Sequence, residues 1–257
     1  MLINVINLQN QSTGNIHVLL NKITSAVTKI IQYALKQINF SILITMKYKF
    51  SEYNKFIYNS NNMILIIDNT KNLNKAFMTP RIISILENLN IKSKVISTKK
   101  DLLNLLPLKT NIKGIILSGG PMCLTNGCNY DEISKNILAM NLFDKTPIIG
   151  ICFGFQLMCD FYGGTVSNLT NEITGLYETP ITGDLTLLHN ISKNPIFYFS
   201  HCDYVSKSPP GFNKMIHNKI ILCIENVKLN RFGFQFHPEG SLDGEHIIKR
   251  FIELYCI

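Results

Sequence analysis

The segment Thr146-Pro147-Ile148-Ile149-Gly150-Ile151-Cys152-Phe153-Gly154-Phe155-Gln156-Leu157-Met158 constrains this chain more than any other. The apolar run Ile148–Ile151 has the length of a buried strand, and across 155–162 apolar residues recur at helical spacing. Gly150 and Gly154 flank Cys152 between them, so the chain turns sharply from strand to helix with a thiol at the apex. This is the arrangement of a nucleophile elbow. Residues without a Cβ permit such a turn. A helix that starts just after a cysteine aims its free N–H groups and positive dipole end at the sulfur, the setting in which a thiol becomes a nucleophile. Taken alone, the segment also fits a plain strand and helix with Cys152 as one more small buried residue.

A second segment, Arg231-Phe232-Gly233-Phe234-Gln235-Phe236-His237-Pro238-Glu239, alternates towards His237 and has Glu239 two residues on. A cysteine nucleophile needs a base, and the base needs an acceptor that orients it. This segment can supply both.

The rest of the chain places these segments in a sheet. The run 62–69 reads as a buried strand ending in polar residues, as in parallel sheets. Thr79-Pro80 opens a helix over 81–89, where proline's missing N–H costs nothing. Short strands follow at 94–96 and 115–117, the second running into Ser118-Gly119-Gly120-Pro121, and a helix is expected over 131–142. Strands alternating with helices predict a doubly wound α/β sheet. Ligands on such sheets sit beyond the carboxyl ends of the strands, so Ser118–Gly120 and Cys152 can reach one crevice. After Gly163-Gly164 the pattern changes to short strands at 175–178, 183–186, 196–199 and 220–224, a mixed and largely antiparallel half, and then to an amphipathic helix over 244–254. No repeat or linker divides 63–257, which reads as one domain.

Residues 1–62 form an N-terminal extension. Val18, Leu19, Ile23, Ala26, Val27, Ile30, Ile31 and Ala34 make a helical stripe within 17–38, and six lysines stand against Glu52 alone. A helical extension, sequence ahead of a start at Met46 or Met63, and a targeting peptide are three readings of it. The absence of arginine and the scarcity of serine argue against targeting.

Of the 257 residues, 46% are hydrophobic and 16% charged, enough to bury a core. The net charge of +8 is spread without a Lys/Arg cluster, so it excludes no class of small-molecule enzyme and marks no nucleic-acid footprint. There are seven cysteines, at 123, 128, 152, 159, 202, 223 and 256. With no secretory signal, no Cys-x-x-Cys and no zinc spacing at Cys123 and Cys128, they read as reduced thiols in a cytoplasmic compartment. No apolar run reaches membrane-spanning length.

Three blocks in order, Ile-Leu-Ser-Gly-Gly-Pro (116–121), Gly-Ile-Cys-Phe-Gly-Phe-Gln (150–156) and Phe-His-Pro-Glu (236–239), resemble the class I, triad-type glutamine amidotransferases over about 63–257. That family has a flavodoxin-like sheet. Ser200-His201-Cys202-Asp203-Tyr204-Val205, with Ser208-Pro209-Pro210-Gly211-Phe212 downstream, is most similar to the glutaminase part of GMP synthetases. Anthranilate- and aminodeoxychorismate-synthase glutaminases more often carry Tyr-His-Ser-Leu there. The resemblance implies that Cys152 attacks the side-chain amide of glutamine, that His237 moves the protons, and that Glu239 orients His237. It also implies oxyanion donors at the backbone N–H groups of Gly120 and Phe153, and a substrate contact at Gln156, whose alternative is a solvent-facing helix position. The backbone around Ser200, His201 and Cys202 would hold the amino-acid end of the substrate, with His201 a positioning residue and Asp203 a charge partner. Cys202 stands where the family usually has glycine, and Asp68-Asn69-Thr70 where it often has Gly-Ser-Gln.

Amide hydrolysis by a thiolate needs no metal or nucleotide cofactor, and no Gly-x-x-x-x-Gly-Lys-Ser/Thr loop occurs. The chain therefore reads as a glutaminase whose ammonia goes to a separate synthetase subunit of the ATP-pyrophosphatase type. A stand-alone γ-glutamyl hydrolase, an anthranilate-type glutaminase and a non-catalytic regulatory homologue are the alternatives, the last opposed by the presence of Cys152, His237 and Glu239.

Overall fold

The computed structural model describes residues 62–70 and 78–257. The stripe at 17–38 and the extension it belongs to lie outside the described residues. Among the described residues nine strands form one sheet, in the order β2-β1-β3-β4-β9-β8-β6-β5, with β7 paired to β8. The strands are β1 Met63–Ile67, β2 Ser93–Ile96, β3 Ile112–Leu117, β4 Ile148–Ile151, β5 Thr165–Glu178, β6 Ile196–Lys207, β7 Asn213–His217, β8 Ile220–Asn226 and β9 Arg231–Phe234. From β2 to β9 along the sheet every pairing is parallel, and the remaining pairings are antiparallel. The expected mixed, doubly wound α/β sheet is present.

Alternation within β1 explains the layers. Ile64 and Ile66 join one apolar cluster, with Ile82 and Leu86 of α1 (Met78–Asn88) and Ile247 and Phe251 of α5 (Leu242–Phe251). Leu65 and Ile67 join the other, with Leu102 of α2 (Lys99–Asn104), Ala139 and Met140 of α3 (Tyr130–Leu142) and Met158 of α4 (Phe153–Phe161). Successive residues of a strand point to opposite faces, so β1 feeds both cores and must be apolar throughout. Local signals agree with the helix starts. Pro80 sits in the first turn of α1, Asn129 Oδ1 accepts from Asp131 N at 3.0 Å at the start of α3, and Ser241 Oγ accepts from Gly244 N at 3.2 Å at the start of α5.

Four expectations need correction. Residues 183–186 form no strand; a 3-10 turn spans Thr186–Leu188, burying Leu187 and Leu188 while Glu225 accepts a hydrogen bond from Thr186 N at 2.8 Å. The strand expected at 175–178 begins at Thr165, and the one expected at 196–199 continues to Lys207, taking in the Ser200–Val205 block. Helix α5 ends at Phe251 and gives way to a π-turn over Ile252–Cys256. Among the described residues no helix is long and apolar enough to cross a membrane.

Arg231 is 1% exposed, and its guanidinium donates to Thr146 O at 2.7 Å, Asp144 O at 2.7 Å, Leu229 O at 2.9 Å and the Tyr162 hydroxyl at 2.7 Å. It ties the chain leaving α3 to the end of β9 remote from the site. Hydrogen bonds to a charged group contribute about 1.5–3 kcal/mol each. Arg231→Met, which leaves these acceptors buried and unmet, is expected to destabilise the chain by at least about 3 kcal/mol. The urea midpoint reads this; an unchanged midpoint would mean the carbonyls find water instead.

Candidate active site

The sheet order reverses between β1 and β3, since β2 lies on one side of β1 and β3, β4 and β9 on the other. Crevices form at such points, beyond the carboxyl ends of the strands. Asn69 follows β1, Ser118-Gly119-Gly120 follows β3, Cys152 follows β4 and His237 follows β9. The four segments meet there.

Cys152 is the single residue between β4 and α4, with φ 48° and ψ −105°. A non-glycine residue held at positive φ costs on the order of 1–3 kcal/mol and persists only where its surroundings fix it. Here Cys152 N donates to Phe234 O at 2.8 Å and Cys152 O accepts from Gln156 N at 2.9 Å, so both sides of the turn are pinned. Close packing adds to this: a Cβ on Gly154 would run into the backbone of Leu117. Cys152 is 3% exposed and sits in the wall of a cavity, because α4 packs tightly on β3. Phe153 N–H opens α4, where no helical carbonyl can reach it.

His237 N donates to Tyr198 O at 2.7 Å, a bridge from β6 that fixes the backbone beside the ring. Its Nδ1 lies 2.9 Å from Glu239 Oε1, and the ring lines the same cavity as Cys152. His237 and Glu239 are 5% and 2% exposed. Burial disfavours the imidazolium, but the charge of Cys152 and then that of Glu239 outweigh it and hold His237 well above the usual histidine range. An unfolded histidine titrates near pH ~6.5. Protonated His237 therefore adds stability that is fully present below that pH and is lost as pH rises through the higher folded value. The difference in unfolding midpoint between wild type and His237→Gln should narrow as pH is raised. A difference independent of pH would mean that His237 is uncharged in the folded chain.

The loop after β3 closes against these groups. A Cβ on Gly119 would come 2.6 Å from His237 Cε1, and one on Gly120 would come 2.5 Å from Asn69 O, so neither position has room for a side chain. Asn69 braces the loop. Its N donates to Ser118 Oγ at 2.9 Å, its side-chain amide to Ser118 O at 2.8 Å, and Asn136 Nδ2 donates to Asn69 Oδ1 at 2.7 Å. The Asp68-Asn69-Thr70 departure is thus a working part of the wall.

A cavity of about 650 Å³ opens over Cys152 and is lined in part by Gly120, Gln156, Ser200, His201 and His237. Gln156 is 2% exposed and its Nε2 donates to Asp203 O at 2.7 Å, which rules out the solvent-facing alternative. His201 Nδ1 lies 2.9 Å from the same carbonyl and so carries the hydrogen, which leaves Nε2 without a partner. Burial lowers the pKa of His201, more than the Asp203 carbonyl raises it. Ser200 O lies 3.6 Å from Cys152 Sγ. The Asp203 carboxylate accepts from Thr125 N at 3.0 Å, Thr125 Oγ1 at 2.5 Å and Asn168 Nδ2 at 3.0 Å. Burial opposes its ionisation, but these donors prevail and its pKa is lowered. Asp203 is therefore a latch between β6 and the loop after β3, and its carboxylate is already spoken for.

The cavity also contains groups that the sequence did not single out. Glu172 on β5 accepts from Ser200 Oγ at 3.4 Å and is the lining carboxylate outside the Asp203 latch. Tyr198 and Cys123 line it too. Cys123 and Cys202 are joined as a disulfide across 79 residues, contrary to the expectation of reduced thiols throughout. Only the packing of β6 beside the loop brings them together, so no spacing rule could find the pair. Among the described residues the one group of side chains with clustered metal-ligand atoms is Cys123, Cys202 and Asp203; with the sulfurs joined and the carboxylate engaged, it offers no ligand set.

Residues 65–254 match the family model of class-I glutamine amidotransferases. The chain is 31% identical over 216 residues to a glutamine-hydrolyzing GMP synthase of Dictyostelium discoideum, covering 79% of this chain and 29% of that protein. It is 36% identical over 148 residues to the GMP synthase of Helicobacter pylori strain Shi470, covering 56% and 28%. The chain thus spans under a third of the length of these relatives. Among solved structures, a GMP synthase-type subunit from Thermoplasma acidophilum superposes with a TM-score of 0.62 at 20% identity, over 74% of this chain and 92% of that one. A glutamine amidotransferase of Thermotoga maritima superposes with a TM-score of 0.59 at 20% identity, over 76% and 82%. At these identities the likeness shows the fold.

Proposed function

Because the chain belongs to the class-I glutamine amidotransferase family, we propose that residues 63–257 hydrolyse glutamine to glutamate and ammonia through a thioester on Cys152. One observation carries this reading: a thiol pinned at positive φ shares a cavity wall with a buried histidine, which in turn is oriented by a buried carboxylate 2.9 Å away. Cys152 Sγ, having given its proton to His237, attacks the amide carbon of glutamine. The carbonyl oxygen gains the negative charge, and Gly120 and Phe153 supply the N–H donors that stabilise it. His237 returns the proton to the leaving nitrogen as the carbon–nitrogen bond breaks, releasing ammonia. Water, deprotonated by His237, then attacks the thioester and frees glutamate and the thiol. Glu239 keeps Nδ1–H directed away from the reacting atoms.

Gln156 and the backbone of Ser200–Cys202 orient the substrate. His201, anchored through Nδ1 to Asp203 O, is a positioning residue rather than a second base. Asp203 holds the loop, which leaves Glu172 as the carboxylate for the substrate's amino group. The ammonia serves a separate synthetase subunit of the ATP-pyrophosphatase type; the GMP synthases among the relatives support guanylate formation as the consuming reaction. The protein works in the cytoplasm and needs neither metal nor nucleotide for the hydrolysis.

Coupling to the synthetase has an expected signature. Alone, the chain should release glutamate slowly. Adding the synthetase subunit should raise kcat by roughly 10²–10³, the worth of one oxyanion donor, as the loop after β3 turns Gly120 N–H to the site. Steady-state glutamate release with and without the subunit tests this. Full turnover by the chain alone, unchanged by any synthetase, would favour a stand-alone γ-glutamyl hydrolase.

A further inference from the structure

The disulfide between Cys123 and Cys202 lies in the cavity wall, and no step of the hydrolysis uses it. Cys123 stands three residues beyond Gly120 on the loop after β3, and Cys202 lies between His201 and Asp203 in β6. Their Cα atoms are 7.1 Å apart. Two residues further along, Thr125 makes the hydrogen bonds to Asp203 already described. The loop is therefore tied to β6 twice, once by hydrogen bonds and once by a bond that a change of redox state can make or break. Both cysteines are half-buried, open to a small reagent, whereas Cys159, Cys223 and Cys256 are buried.

We propose that Cys123 and Cys202 are a thiol-oxidation site that clamps the glutamine pocket: oxidised, the pair holds the Gly119-Gly120 loop to β6 and idles the enzyme; reduced, it frees the loop. This rests on the proposed glutaminase reading. The loop that must offer Gly120 to the oxyanion is the loop held at Cys123. The strand that must receive the amino-acid end of the substrate is the strand held at Cys202. A covalent tie between them limits both adjustments at once, while the Thr125–Asp203 latch keeps the reduced loop near its place.

The oxidant is a low-molecular-weight disulfide of the glutathione type. One cysteine, as thiolate, attacks it to form a mixed disulfide and release one small thiol. The second cysteine then attacks the protein sulfur of that mixed disulfide and expels the second small thiol. The two protein thiols lose two protons and two electrons, and the small disulfide becomes two thiols.

The test equilibrates the full chain, with the synthetase subunit present, against defined ratios of oxidised to reduced glutathione. Peptide mass mapping reads the Cys123–Cys202 bridge and glutamate release reads turnover. The bridge should form, turnover should fall by up to roughly 10²-fold, the worth of one oxyanion donor, and dithiothreitol should restore it. Cys123→Ser should match the reduced wild type and keep its turnover under the oxidising couple; Cys123→Ala serves if the serine variant misfolds. Failure to bridge at any ratio would overturn the proposal, as would a bridged chain that turns over like the reduced one. If the reduced chain shows no glutaminase activity, it is the glutaminase reading that fails. The clamp is then judged by the rate at which iodoacetamide alkylates Cys152: slower alkylation in the bridged chain supports it, and equal rates overturn it.

Discussion

Cys152→Ala is expected to abolish glutamate release, a loss on the order of 10⁶-fold if the nucleophile matters here as it does in serine hydrolases. The fold should survive the change. Alanine keeps the Cβ and the same φ, so the elbow's strain is unaltered, and the deletion removes one sulfur from a turn pinned by Phe234 O and Gln156 N. Losing that buried atom costs about 1 kcal/mol. Turnover and the urea midpoint measured on one preparation separate the two effects. Residual glutamate release within tenfold of wild type would remove Cys152 from the chemistry.

His237→Ala should cost nearly as much, and the double variant with Cys152→Ala little more than either alone, because groups that act as a unit are strongly non-additive. Without the imidazole the sulfur loses its general base, and His201, whose pKa is lowered by burial, is a weaker one. Glu239→Gln should be milder, because the amide oxygen can still accept from Nδ1–H, although the charge that helps hold His237 protonated is gone. Near-normal turnover by His237→Ala at neutral pH would show that the base is another residue.

Much of this was legible in the residues themselves. The apolar runs at β1, β3 and β4 read as buried strands, and Gly150 and Gly154 read as the freedom that a sharp turn at Cys152 requires. The antiparallel half was harder. β5 is a long edge strand exposed along most of its length, so solvent on both sides erases the alternation that would mark it. At 183–186 a strand-like composition yields to a turn because Glu225, 39 residues away, captures Thr186 N. The brace of Asn69, Ser118 and Asn136, the Thr125–Asp203 latch and the Cys123–Cys202 bond are all contacts between distant segments. No local pattern encodes them. Where the resemblance gave Asp203 a charge to offer the substrate, the structure spends that charge on the loop.

The most direct test of Cys152 as the glutamine nucleophile is covalent labelling of the full chain, under reducing conditions, by an electrophilic glutamine analogue, followed by peptide mass mapping. One adduct, on Cys152 alone among the seven cysteines, formed in competition with glutamine and absent from His237→Ala over the same period, is the predicted result. Labelling spread over several cysteines, or labelling of Cys152 that glutamine does not slow, would contradict it.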